Sequence, residues 1–215
     1  LSIVLRAVDR LKETARQATV VVSSQVPVGT CEQVASMLSD DGVTADLAYV
    51  PENLRLGKAI ECFMKPDMIV IGANSNSAMA KVRALFSPIP TKIIEMDLTS
   101  AEMVKHALNA FLATSISYAN EIGNICDLVG ADALKVAEAL RSDSRIGSKA
   151  LLRPGLGFSG GTLARDLKVL QETAKSHGYE TLFINGVLEV NQRQNASIID
   201  RLEKLVGRLQ GKLVG

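Results

Sequence analysis

The sequence predicts an α/β portion followed by an all-α portion. Three observations carry this. Four short runs rich in β-branched residues alternate with helical patterns over roughly the first 95 residues. A stretch with almost no breakers then begins after Asp97, and everything beyond it has helical periodicity or is glycine-rich loop.

The elements follow in order. Leu1–Arg16 reads as a helix already in progress. Thr19–Ser23, Val43–Tyr49, Met68–Ile71 and Lys92–Ile94 are strand candidates, and Thr30–Leu38 and Ser77–Phe86 carry apolar residues at helical spacing. Strands alternating with helices predict a parallel sheet with crossover helices. Gly72 follows the third strand, where a chain leaves the sheet. Thr99-Ser-Ala-Glu102 reads as a capping box, and from there only the isolated Gly123 interrupts a helix of about 30 residues (~45 Å). Asp132–Arg141 is a shorter helix. Ser142–Gly161 is irregular, with five glycines and a proline, and Thr162–His177 and Thr181–Leu205 are two further helices. The ends, Leu1 inside a helical pattern and Gly211-Lys-Leu-Val-Gly215 as a strand just begun, lead us to expect a piece of a longer polypeptide.

Composition narrows the function classes. A net charge of +1 gives no field to steer nucleic acid or acidic membranes, so neither is an expected partner. No apolar run approaches a membrane span, and there is no signal-peptide pattern. Cys31, Cys62 and Cys126 are an odd number, far apart and without metal-type spacing. We expect no disulfide framework, no metal site and a reducing, cytoplasmic location.

Most of the chemistry-bearing residues lie in the second half. Lys105 and Asn109 are four apart on the long helix and project from one face, where an ammonium can stabilise negative charge on an oxygen while an amide orients it. On such a pair alone, a solvated polar face is the plainer reading. Asp166, in the first turn of a helix, complements the helix dipole on the plainer reading. His106 and His177 have no metal-ligand partners at useful spacing. His177 suits a helix C-terminus, and neither is assigned a catalytic role.

Several segments in fixed order add specificity: Ser24-Gln-Val-Pro-Val-Gly-Thr30, Pro51-Glu-Asn-Leu-Arg-Leu-Gly57, Lys105–Thr114, Asn120-Glu121, Arg145-Ile-Gly147 and Pro154–Asp166. Together they resemble the UDP-glucose/GDP-mannose dehydrogenase family across nearly the whole chain. The resemblance implies that 1–97 are the C-terminal half of a Rossmann-type NAD-binding domain. It further implies that 98–206 are a central helical dimerisation domain and that 207–215 begin a second nucleotide-binding domain. The chain has no Gly-x-Gly-x-x-Gly after a strand, so by the resemblance the phosphate-cradling turn would lie upstream.

The implied activity is NAD-dependent oxidation of the C6 hydroxyl of a nucleotide sugar by a homodimer built on the long helix. By resemblance, Lys105, Asn109, Asp166 and Glu52 are catalytic, and Ser24, Gln25 and Glu52 face NAD. Leu54, Arg145, Gly155, Gly157, Phe158 and Ser159 then contact the substrate, with Arg145 reaching to the partner subunit. The pattern departs in two places. Asn53 and Leu56 replace a phenylalanine and a glutamate. Aligned without gaps from Asp166 backwards, Thr162 stands where the family has its nucleophilic cysteine.

That last change alters the chemistry. Four-electron oxidation to an acid needs the aldehyde held covalently, and a thiol ionised at a helix N-terminus serves for this. A threonine hydroxyl does not, and Thr162 reads instead as a helix N-cap. The alternatives left open are a single oxidation like that of the hydroxyacid and 6-phosphogluconate dehydrogenases, a water-dependent second step, or a non-catalytic binding or dimerisation homologue.

Overall fold

The computed structural model describes residues 2–11, 18–40, 45–52, 54, 57–159 and 161–213. Its elements are α1 (Ser2–Leu11), β1 (Thr19–Val22), α2 (Thr30–Asp40), β2 (Asp46–Tyr49), α3 (Ala59–Met64), β3 (Ile69–Ala73), α4 (Asn76–Phe86) and β4 (Ile93–Met96). Then come α5 (Leu98–Val129), α6 (Ala133–Ser142), α7 (Leu163–Ser176) and α8 (Leu182–Val206). The chain divides into two compact units, Leu1–Lys105 and His106–Gly215, with the division inside α5.

In the first unit the strands form one sheet in the order β1-β2-β3-β4. β1 with β2 and β3 with β4 are parallel, but β2 and β3 pair antiparallel, Tyr49 opposite Gly72, so the expected all-parallel sheet is corrected to a mixed one. Among the described residues between β2 and β3 the only helix is the six-residue α3, which sequence reading had not picked out. A helix that short rises about 9 Å and does not carry the chain back along the sheet. Alternation along β2 and β3 fills both faces. Leu47, Tyr49 and Val70 join Val8, Val34, Leu38 and Ala101 on one side, while Ala48, Ile69 and Ile71 join Val82 on the other.

Three local expectations are corrected. Gly72 lies inside β3 rather than beyond it, and a Cβ there would fall 2.6 Å from Ala101 Cβ, so the glycine serves close packing of β3 on α5. The long helix starts one residue before Thr99, because Asp97 is the capping carboxylate. It accepts from Ser100 N (2.8 Å) and from Ser100 Oγ (2.7 Å). Glu102 does not return to that cap. Buried completely, it accepts from the amides of Gly29 (2.6 Å) and Cys31 (2.7 Å) and so closes the N-terminus of α2. Its carboxylate, after burial itself, pushes the Cys31 thiol far above the ordinary thiol range.

The second unit contains the rest of α5 with α6, α7 and α8. Ala113, Leu167 and Val187 are its buried centre, with Ala110, Phe158, Leu163, Ile184 and Leu188 packed on it. Asp132 caps α6 by accepting from the amides of Leu134 and Lys135. His177 stands at the α7 C-terminus as expected, its Nδ1 2.9 Å from Thr173 O. Residues 207–213 carry no strand, while 214 and 215, where a strand was expected to continue, lie outside the described residues. The same holds for 12–17 of the first predicted helix and for the start of the second predicted strand. No helix among the described residues is long and apolar enough to cross a membrane.

Candidate functional site

In the second unit, α5 and α7 bring together three buried polar side chains that lie far apart in sequence. Asn109 is 5% exposed, Asp166 1% and His106 1%. Asn109 Nδ2 donates to Asp166 Oδ2. His106 Nδ1 stands 3.4 Å from Asp166 Oδ1, an ion-pair separation rather than an optimal hydrogen bond. The sequence places them there for local reasons. Asn109 follows His106 by three residues, one turn of α5, and Asp166 sits in the first turn of α7, where the dipole favours a carboxylate. A buried carboxylate facing an amide and an imidazole can hold or exchange a proton.

Thr162 precedes α7 and its carbonyl accepts from Asp166 N (3.1 Å), but its side chain makes no capping hydrogen bond. The expected hydroxyl cap is therefore corrected, and Thr162 is an exposed residue at a helix start. Gly155, Leu156 and Ser159 are exposed, whereas Phe158 is half-buried on the Ala113–Leu167–Val187 cluster. Gly160, between them and Thr162, lies outside the described residues. Arg145 is exposed and forks onto Asp143, with Nε to Oδ1 at 3.0 Å and an outer nitrogen to Oδ2 at 2.7 Å. Each holds the other charged, the Asp143 carboxyl low and the Arg145 guanidinium high.

In the first unit, the parallel strands β1 and β2 end side by side, tied by Val50 N to Val22 O (2.9 Å) and Ser23 Oγ to Val50 O (3.0 Å). Ser24 and Glu52 are exposed at these ends and Gln25 is half-buried. Glu52 and Leu54 stand at a cleft of about 120 Å³ that is otherwise mainly apolar, with Cys62, Phe63, Met68 and Phe86 in its wall. Asn53 and Leu56 lie outside the described residues. Lys105, the last residue of this unit, is half-buried on α5. No cluster of three His, Cys, Asp or Glu suited to a metal occurs among the described residues.

Residues 1–90 match the model of the UDP-glucose/GDP-mannose dehydrogenase family, NAD binding domain, and residues 99–193 match that of the family's central domain. The chain belongs to the UDP-glucose/GDP-mannose dehydrogenase family. The UDP-glucose 6-dehydrogenase TuaD of Bacillus subtilis is 42% identical over 198 residues, 91% of this chain and 43% of that protein. A UDP-glucose dehydrogenase structure from Pyrobaculum islandicum superposes with a TM-score of 0.88 at 36% identity, covering 95% of this chain and 49% of the other. A UDP-D-ManNAc dehydrogenase from Pyrococcus horikoshii gives 0.82 at 27%, covering 95% and 50%. The chain spans about half the length of the curated relatives it matches.

Sequence reading paired Asn109 with Lys105 and treated His106 as uninvolved, so the His106–Asp166 approach was missed. A signal existed. Positions 106, 109, 113, 117, 120 and 124 form one helical stripe, and five of the six are polar (His, Asn, Ser, Asn, Asn) on a helix that must bury one face.

Proposed function

We propose that this chain is the cofactor-facing and substrate-facing part of an NAD-dependent nucleotide-sugar dehydrogenase acting on the C6 hydroxyl. Asn109 and Asp166, 57 positions apart, converge as a buried bonded pair in a unit that matches the family's central domain, and this carries the reading. Asn109 gives its Nδ2 to Asp166, which leaves Oδ1 as its remaining polar atom, an acceptor suited to a hydroxyl. Asp166 takes up the hydroxyl proton, directly or through water, with Asn109 and His106 fixing the carboxylate. The Lys105 ammonium stabilises negative charge growing on the substrate oxygen.

The cofactor fits what the first unit offers. Open α/β sheets take dinucleotides at the carboxyl ends of their parallel strands, and β1 and β2 end there with exposed Ser24 and Glu52 and with Gln25 beside them. NAD, when bound, supplies the hydride acceptor. Ser24 and Gln25 line its site, and Glu52 with Leu54 borders the substrate. Arg145 and Gly155–Ser159 complete the sugar-nucleotide site, Arg145 from the partner subunit of a homodimer. The dimer reading rests on α5. Phe111 (69% exposed), Tyr118 (47%) and Ile125 (49%) recur every seven residues and form an uncovered apolar row.

With Thr162 in place of a thiol, no covalent aldehyde adduct holds the intermediate for a second oxidation. The proposal is therefore one hydride and one proton removed per sugar, giving the aldehyde. Any uronic acid would need water addition to the aldehyde, with Asp166 or Glu52 as base, and then loss of a second hydride from the hydrate to a second NAD. Three free cysteines suit a reducing, cytoplasmic location, and the product would feed polysaccharide or envelope synthesis.

Incubating the protein that carries this chain with NAD and a panel of UDP- and GDP-sugars, and counting NADH per sugar, tests the reading. One NADH with a trappable aldehyde is expected. No NADH with any nucleotide sugar would leave a binding or dimerisation homologue as the better account.

A further inference from the structure

The irregular segment between α6 and α7 is fastened at two points by amide side chains. The Gly155 N–H donates to Asn120 Oδ1 (2.7 Å) and its carbonyl accepts from Gln194 Nε2 (2.8 Å). Three residues on, the Phe158 N–H donates to Asn191 Oδ1 (2.8 Å) and its carbonyl accepts from Asn191 Nδ2 (2.9 Å). Both backbone groups of both residues are thus taken by α5 and α8. The clamp is itself braced, since Gln194 Oε1 accepts from Asn124 Nδ2 (3.1 Å), and Asn124 Oδ1 accepts from Ser197 Oγ (3.3 Å) and from the Arg201 guanidinium.

Two contacts leave no room for a larger residue. A Cβ on Gly157 would fall 2.5 Å from Asn191 Oδ1, and one on Gly123 would fall 2.7 Å from Pro154. Asn120 (fully buried) and Gln194 (4% exposed) are neutral, so burying them against backbone avoids the cost of a charge; Gln194 uses both donor and acceptor, while Asn120 engages through its oxygen alone. An ordinary connection would leave those backbone groups to water. This one is set to a single shape. Phe158 is turned onto the Ala113–Leu167–Val187 cluster, while Leu156, 75% exposed, and Ser159 are presented outward.

We propose that Asn120, Asn191 and Gln194 are positioning residues that hold Gly155–Ser159 in the shape that receives the sugar nucleotide, and that Leu156 and Ser159, not Phe158, meet it. This rests on the functional reading above. It departs from that reading in making Phe158 an anchor whose ring faces the protein.

The test uses the protein that carries this chain, with UDP-glucose as the probe. Asn191→Leu removes two hydrogen bonds and raises KM for UDP-glucose roughly tenfold or more, with kcat changed less than about threefold. Amide exchange at Phe158 accelerates in the same variant. Leu156→Asp, at an exposed position that does not endanger folding, also raises KM about tenfold. Phe158→Leu lowers the melting temperature, because the ring packs on the Ala113–Leu167–Val187 cluster. If the unsubstituted protein turns over no nucleotide sugar, the functional reading fails and this proposal falls with it. If it turns over UDP-glucose and Leu156→Asp leaves KM unchanged, the proposal alone is overturned. Equal losses in kcat and melting temperature in Asn191→Leu, without a rise in KM, would also overturn it by making the clamp purely structural.

Discussion

Among the described residues each unit fully buries one carboxylate, and the two differ in what surrounds them. Glu102 in the first unit accepts two backbone amides at the start of α2 and is explained entirely by that helix end. Asp166 in the second unit begins its own helix, yet its oxygens face the side chains of Asn109 and His106. A carboxylate held by fixed backbone dipoles is part of the scaffold. One held by side chains that can shift, donate or titrate suits the proton-accepting role proposed for Asp166. Burial matters as well. Asp46 is also held by side chains, its carboxyl kept well below the usual range mainly by Lys81 and then by Ser75 and Ser77, but it is partly open to solvent and ties β2 to α4.

The largest effect that could break this contrast is on turnover. Lys105→Ala should cut kcat a hundredfold or more, about 3–4 kcal/mol at the transition state, with little change in melting temperature. Steady-state kinetics beside calorimetry would show it, and a stable variant of unchanged kcat would remove Lys105 from the site. Next comes Glu102→Ala, expected to destabilise the fold by about 2–4 kcal/mol by opening the α2 N-terminus around a cavity. Urea unfolding followed by circular dichroism measures this, and a loss below about 0.5 kcal/mol would mean that water replaces the carboxylate.

Thr162→Ala should do less than either. Its side chain makes no cap bond, so the stability change should stay within about 0.5 kcal/mol and turnover should hold. A large activity loss with the fold intact would show that the hydroxyl is used covalently. The smallest effect concerns the thiols. Half-buried Cys62 should be alkylated at neutral pH well before Cys31, which burial and the Glu102 carboxylate keep protonated. Mass mapping of the first modified residue decides this, and early labelling of Cys31 would mean that the α2 cap opens readily.

Much of the fold was legible because its signals are local. β-branched runs marked the strands, the breaker-free stretch marked α5, and Asp132 and His177 marked helix ends. The antiparallel β2–β3 pairing was not legible, because alternation sets which face a residue takes and not the strand's direction. The cap at α5 was misplaced because Thr99 and Asp97 are both good caps two residues apart. The glutamate expected to complete the box was drawn to a helix end 71 positions away. Asn109 and Asp166 could be found from ordered motifs. The amides at Asn191 and Gln194 could not, since on sequence they resemble any solvated helix face until the loop they grip is in place.

The division of labour between the two carboxylates is tested most directly by their isosteric amides, measured side by side. Glu102→Gln keeps one acceptor but places an NH2 donor against the other backbone N–H. It should lower the melting temperature by several degrees while kcat stays within about twofold. Asp166→Asn keeps the shape but loses the base. It should leave the melting temperature within a few degrees and reduce nucleotide-sugar turnover by about a hundredfold or more. If Asp166→Asn instead unfolds the protein like its counterpart, or keeps full turnover, the carboxylate of the second unit is scaffold too and the account is wrong.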